Sequence, residues 1–174
     1  AVRRAVIDLR LVNEDGSPIS GARVNHIQAT QFPALTSRSG TTRGDGRVSF
    51  PAHPGVPQAC FAFNYPGLPL RLFAVPTGSK EQEVVIPAAS GTIEIEKSAS
   101  KEGEALVLWQ GPCFMPLPLL KSFKRTTESR FTGIAPGQYS LCRHPLNSPG
   151  APPTCQSGFL APNGILSFQV GSGS

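Results

Sequence analysis

The sequence predicts an all-β chain arranged as two tandem antiparallel β-sandwich domains. Three observations predict it. Gly and Pro number 18 each in 174 residues, a density that terminates helices and removes backbone donors but suits strands joined by turns. Apolar-alternating runs recur at roughly 8–12-residue spacing with turn signals between them, the pattern of a sandwich or barrel. The two halves also resemble each other. Val6-Ile7-Asp8-Leu9 matches Thr92-Ile93-Glu94-Ile95, Phe50, Gly55 and Cys60 match Phe131, Gly137 and Cys142, and Val75-Pro76-Thr77-Gly78 matches Ala161-Pro162-Asn163-Gly164. The offsets are 82 for the glycine and the cysteine and 86 for the first strand and the late turn. Self-similarity at that period indicates two copies of one unit. The boundary falls at the small-residue stretch Pro87-Ala88-Ala89-Ser90, giving domains 1–88 and 89–174.

The elements follow in order. Residues 4–12 alternate around Leu9 and Leu11, and Asn13-Glu14-Asp15-Gly16-Ser17-Pro18 is a turn cluster. Residues 22–28 read as a second strand. Asp45-Gly46 is a tight-turn signal before the short strand 47–50. Residues 58–65 place Cys60 on one face and Phe61, Phe63 and Tyr65 on the other, and Pro66-Gly67 turns the chain into 68–75. Residues 83–86 close the first half. In the second half the strand candidates are 91–96, 104–109, 129–132, 137–143 and 165–170. No window supports a long amphipathic helix, and no apolar run approaches the ~20 residues that cross a bilayer.

The run Val12-Asn13-Glu14-Asp15-Gly16-Ser17-Pro18-Ile19-Ser20-Gly21-Ala22-Arg23-Val24 resembles the opening of a carboxypeptidase regulatory-like domain. Thr42, Asp45-Gly46, Phe50 and Pro54-Gly55 continue the pattern, and Phe131 to Leu141 resembles it in the second half. The segment from Ser98 to Glu104 lacks the Pro-hydrophobic-x-Gly-Ala element. The resemblance implies a transthyretin-like (prealbumin-like) sandwich in each half and a structural or binding role on a bacterial surface or in a larger secreted protein. Its motif residues encode chain reversal and carry no chemistry.

Two enzyme classes use such sandwiches, and neither pattern is present. Intradiol dioxygenases need paired Tyr and His ligands, and Tyr65 and Tyr139 lack the spacing. Hydroxyisourate hydrolases end in Tyr-Arg-Gly-Ser, whereas this chain ends in Gly171-Ser172-Gly173-Ser174, which resembles a linker. His26, His53 and His144 lie far apart with no His-x-His pair or acidic cluster beside them, so solvent-exposed or satisfied loop histidines are expected. No Gly-x-Ser-x-Gly elbow and no phosphate-binding glycine loop occurs. The chain is therefore expected to have no catalytic residue, metal or cofactor. A Lys–Asn isopeptide of the collagen-adhesin B type requires Lys97, Asn163 and Glu128, with a simple turn role favoured for Asn163.

Sixteen Lys and Arg against eleven Asp and Glu give a net charge of +5. The basic residues are scattered apart from Lys121, Lys124 and Arg125, so a mildly cationic surface is expected and nucleic-acid binding is not. The start at Ala1 fits a removed signal or a fragment. Four cysteines without a two-residue spacing argue against a zinc ribbon and for disulfides in an oxidising compartment, secreted or at the cell surface, in the bacterial exterior or periplasm. Cys142 is expected to pair with Cys155 across a Pro-rich excursion, and Cys60 with Cys113. The apolar, Pro-punctuated segment 113–120, with Phe114, Met115, Leu117, Leu119 and Leu120, is a candidate interface for a protein partner or an identical subunit.

These features give a non-catalytic extracellular structural or binding protein. The alternatives are a self-assembling filament or pilus subunit and a carbohydrate-binding module. The filament would join through strand addition by Ala1 to Leu11 or by the C-terminal tail. The module would use Trp109, Tyr65 and Tyr139.

Overall fold

In a computed structural model the described residues are 6–31, 34–52, 55–78, 80–97, 104–116, 130–145 and 150–170. The chain divides into two compact units, Ala1–Ala88 and Ala89–Ser174. Unit one carries strands β1 (Val6–Asn13), β2 (Arg23–Gln31), β3 (Ala34–Thr41), β4 (Arg47–Pro51), β5 (Gln58–Asn64), β6 (Arg71–Pro76) and β7 (Gln82–Ile86). Unit two carries β8 (Gly91–Lys97), β9 (Glu104–Gln110), β10 (Cys113–Pro116), β11 (Arg130–Ile134), β12 (Gly137–Pro145), β13 (Thr154–Leu160) and β14 (Ile165–Val170).

The sheets of unit one have the orders β4-β1-β7 and β3-β2-β5-β6; those of unit two have β11-β8-β14 and β10-β9-β12-β13. Adding seven to each strand number of unit one reproduces unit two. The residue matches read from sequence land on equivalent strands: Phe50 stands opposite Ile7, and Phe131 opposite Ile93. The chain is thus all-β, with two tandem β-sandwiches.

The ladders are antiparallel except for one pair in each unit, which the antiparallel expectation did not include. β1 runs parallel to β7 from Leu9↔Gln82 to Asn13↔Ile86, and β8 runs parallel to β14 from Thr92↔Ile165 to Lys97↔Val170. A tight hairpin cannot join parallel strands. Here five other strands separate the first strand from the last, so that constraint does not apply.

Alternation builds the core. In β1 the buried residues Ile7, Leu9 and Leu11 share a face, while Asp8 and Arg10 face outward. That face meets Val48, Phe50, Val84 and Ile86 of its own sheet and Val24, Phe61, Phe63, Phe73 and Val75 of the other. Phe61 has no exposed surface and stacks on Phe73 at 5.5 Å between ring centres. Complete burial of such a side chain stabilises by about 1.5–3 kcal/mol. Gly40 on β3 faces the same core: a Cβ there would lie 2.8 Å from Val48 and 2.9 Å from Phe50.

The motif residues of the opening close the unit's end. Thr42 Oγ1 accepts from the Ala22 N–H at 2.9 Å and donates to the Ile19 carbonyl at 2.6 Å. Gly46 takes a φ of 80° in the turn before β4, and a Cβ there would lie 2.5 Å from the Leu11 carbonyl oxygen. Both facts require glycine. Asp15 and Asp45 each cap a turn, accepting from the backbone N–H of Ser17 and of Arg47.

In unit two, Ile93, Ile95, Phe131 and Phe168 of one sheet and Leu108, Met115, Tyr139, Leu141 and Leu160 of the other are buried. Close approach needs glycine twice. A Cβ on Gly91 would meet Leu160 at 2.6 Å, and one on Gly158 would meet Leu166 at 2.5 Å.

Candidate functional site

The chemistry-bearing side chains that the structure brings together lie on the four-stranded sheet of unit two. Cys142 and Cys155 are register partners on β12 and β13 and are joined by a disulfide, with Cα atoms 4.1 Å apart. Such closeness belongs to the non-hydrogen-bonded positions of an antiparallel ladder, where side chains are nearest. This is the pairing expected from the sequence, and the crosslink sits one register pair from the end of the β12–β13 ladder, which closes at Arg143↔Thr154.

The pleat places Val107, Trp109, Ser140, Cys142, His144, Cys155, Ser157 and Phe159 on one face, because register partners point the same way. Val107 and Cys142 are buried, whereas Cys155, Ser157 and Phe159 are exposed. Ser140 and Ser157 hydroxyls share a hydrogen bond at 2.8 Å. Trp109 packs on Phe114 with ring centres 4.9 Å apart, and His144 lies 6.4 Å from the indole. Burial lowers the His144 pKa below the ordinary histidine value, which favours the neutral imidazole at neutral pH.

The other candidate residues are distributed as follows. His26 is buried in the core of unit one, stacked on Phe61 at 4.8 Å and edge-on to Phe50 at 5.8 Å. It is neither the exposed nor the loop residue expected, because β2 turns it inward opposite Phe61. His53 lies outside the described residues. Among the described residues, no group of three or more His, Cys, Asp or Glu is placed to hold a metal ion. Tyr139 is 2 % exposed and its hydroxyl donates to the Ala135 carbonyl four residues upstream. That corner bond fixes the entry to β12 and removes Tyr139 as a platform for a sugar. Tyr65 packs against the core of unit one.

Within the candidate interface, Phe114 and Met115 are 8 % and 2 % exposed, so both are covered within the chain. Their strand, β10, pairs with β9 and leaves them little surface to offer a partner. Leu117, Leu119 and Leu120 lie outside the described residues, as do Lys121, Lys124, Arg125 and Glu128. Cys113 is buried, and neither Cys60 nor Cys113 is a free thiol.

The turn role favoured for Asn163 over an isopeptide agrees with its place in the fold. Lys97 pairs with Val170, whereas the Asn163 N–H donates to the Ser90 carbonyl at the other end of β8. At roughly 3.3 Å per residue the two positions are about 23 Å apart, so no isopeptide joins them. Asn163 instead has a φ of 59° in a turn closed by Gly164 N–H to the Ala161 carbonyl. One reading is corrected in part: of the donor segment Ala1 to Leu11, residues 6–11 cannot add to a neighbour in the folded unit, because β1 is flanked on both sides, by β4 and β7, while residues 1–5 and the tail 171–174 lie outside the described residues.

Sequence reasoning missed β3, β10 and β13. β3 and β13 are outer strands of the four-stranded sheets, and residues 37–39 and 154–157 are exposed on both faces. No residue there alternates against a core, so the period-two signal is absent.

No protein-family model matches the chain, and no curated protein matches it. Solved structures do, at low similarity. A Bacillus anthracis TIE protein is 12% identical, over 96% of this chain and 33% of that one, with a TM-score of 0.33. The shaft pilin SpaA of Lactobacillus rhamnosus GG is 12% identical, over 96% and 97%, with a TM-score of 0.35. A streptococcal ancillary pilin is 12% identical, over 95% and 62%, with a TM-score of 0.33. This chain spans about a third of the first of these. Similarity at this level assigns neither family nor function.

Proposed function

We propose that this chain is a non-catalytic scaffold of two transthyretin-like sandwiches, related to carboxypeptidase regulatory-like domains, working in an oxidising extracellular or periplasmic setting. The carrying observation is the repetition of one seven-strand order in both units, with a disulfide set into the second unit's ladder. The polar side chains that sequence singled out support this reading where they are described. Thr42 and Tyr139 hold backbone groups, His26 lies in an aromatic core, and the cysteines are oxidised. No helix is long and apolar enough to cross a membrane among the described residues. Elemental analysis of the purified chain tests the absence of catalysis through a metal: no stoichiometric metal is expected. Bound metal lost on His144→Ala would overturn the reading.

A second reading, assembly of identical subunits by strand addition, is favoured by β13. It ends its sheet, and its seven residues Thr154–Leu160 contain no charge and no proline. Charges and prolines are common means of blocking pairing at a sheet edge. Electron microscopy of native material distinguishes the two: dispersed particles fit the scaffold, and regular filaments fit strand addition.

A further inference from the structure

We infer that the Cys142–Cys155 disulfide is a thiol-exchange site that takes a low-molecular-mass thiol on Cys155 and releases Cys142. The two sulfurs differ in access. Cys155 is exposed, and Cys142 is 5 % exposed. They also differ in their neighbours. Cys155 stands on β13, the last strand of its sheet. Cys142 stands on β12, between β13 and β9, and its register partner on β9, Val107, is fully buried. Solvent thiols therefore reach one sulfur and not the other.

The step balances without an added oxidant. The incoming thiolate forms a bond to Cys155 Sγ, the Sγ–Sγ bond breaks, and Cys142 leaves with the electron pair. The thiolate is oxidised to the mixed disulfide as Cys142 is reduced. Cys142 then takes the proton that the incoming thiol gave up to solvent. The strands stay together through the exchange, because seven register pairs join β12 to β13 and only one carries the crosslink.

The test uses the intact oxidised chain and glutathione. The folded protein is incubated with glutathione at mildly alkaline pH, quenched in acid, alkylated with N-ethylmaleimide and digested with trypsin. Cleavage after Arg143 separates the Cys142 peptide from the Cys155 peptide. The expected result is glutathione on Cys155 and alkylation on Cys142, with about a tenfold excess over the reverse pattern. In denaturant the excess is expected to vanish. Four outcomes overturn the proposal: equal or greater adduct on Cys142, prior modification of the Cys60 or Cys113 peptides, an excess that persists in denaturant, or an intact crosslink with no adduct.

Discussion

Unit one closes its sandwich with stacked rings and a buried threonine; unit two closes the same strand order with a corner tyrosine and a disulfide. In the first, Phe61 stacks on Phe73 and packs at a tilt against Phe50. At the place of Tyr139, the offset of 82 gives Pro57, which carries no hydroxyl. The outer faces differ too. In unit one Arg10 pairs with Glu83, and Arg47 with Asp45 and Glu81; in unit two Arg130 pairs with Glu94. Turn placement and inward alternation set this topology, and the device locking it is free to vary.

The largest effect is expected from removing a ring from the first unit. Phe61→Ala deletes a fully buried side chain and is expected to cost about 3–5 kcal/mol. The chain has a single tryptophan, Trp109, in unit two. Indole fluorescence therefore follows unit two, and far-UV circular dichroism follows both units. The variant is expected to show an early dichroism transition that the indole signal lacks.

The locks themselves come next. Thr42→Val leaves the Ala22 N–H and the Ile19 carbonyl without their partner, and Tyr139→Phe leaves the Ala135 carbonyl bare. Each orphaned buried group costs about 1–3 kcal/mol. Denaturant midpoints are expected to fall for both variants and further for Thr42→Val, which orphans two groups. Equal stability of wild type and Tyr139→Phe would remove the tyrosine corner from the explanation of unit two.

Disulfide mapping reads the crosslinks of both units directly. Non-reducing tryptic peptides are expected to give Cys142 with Cys155 and, as the sequence proposes, Cys60 with Cys113. A Cys60–Cys142 peptide would contradict both.

The smallest effect is expected at the charged face. Arg47 holds Asp45 and Glu81 at the surface, and Asp45 keeps its carboxyl below the ordinary range by accepting from the Arg47 backbone and side chain. A depressed carboxyl stabilises the fold at neutral pH and loses that contribution as pH falls through its folded value. Arg47→Ala is expected to leave the midpoint at neutral pH within error, with any change disappearing in high salt.

Legibility of the fold followed burial. β1 and β8 were readable because Leu9, Leu11, Ile93 and Ile95 alternate with polar residues. β10 was not, because Cys113, Phe114 and Met115 are consecutive and all buried, which erases alternation. β3 and β13 failed for the opposite reason, having long stretches exposed on both faces. The parallel pairing of first and last strands has no local signature at all, since it joins residues more than seventy positions apart. At the candidate site the cysteine pair was visible in the sequence. The difference in access between its two sulfurs was not, because that depends on β13 being an edge.

The identity of the two folds is open to one direct measurement. Long-range backbone nuclear Overhauser effects in the isotope-labelled oxidised chain report strand neighbours and their direction. Parallel-type contacts are expected between Leu11 and Val84 and between Ile93 and Leu166. An antiparallel pattern in either place, or a ladder joining a strand of residues 6–86 to one of residues 91–170, would refute two copies of one sandwich.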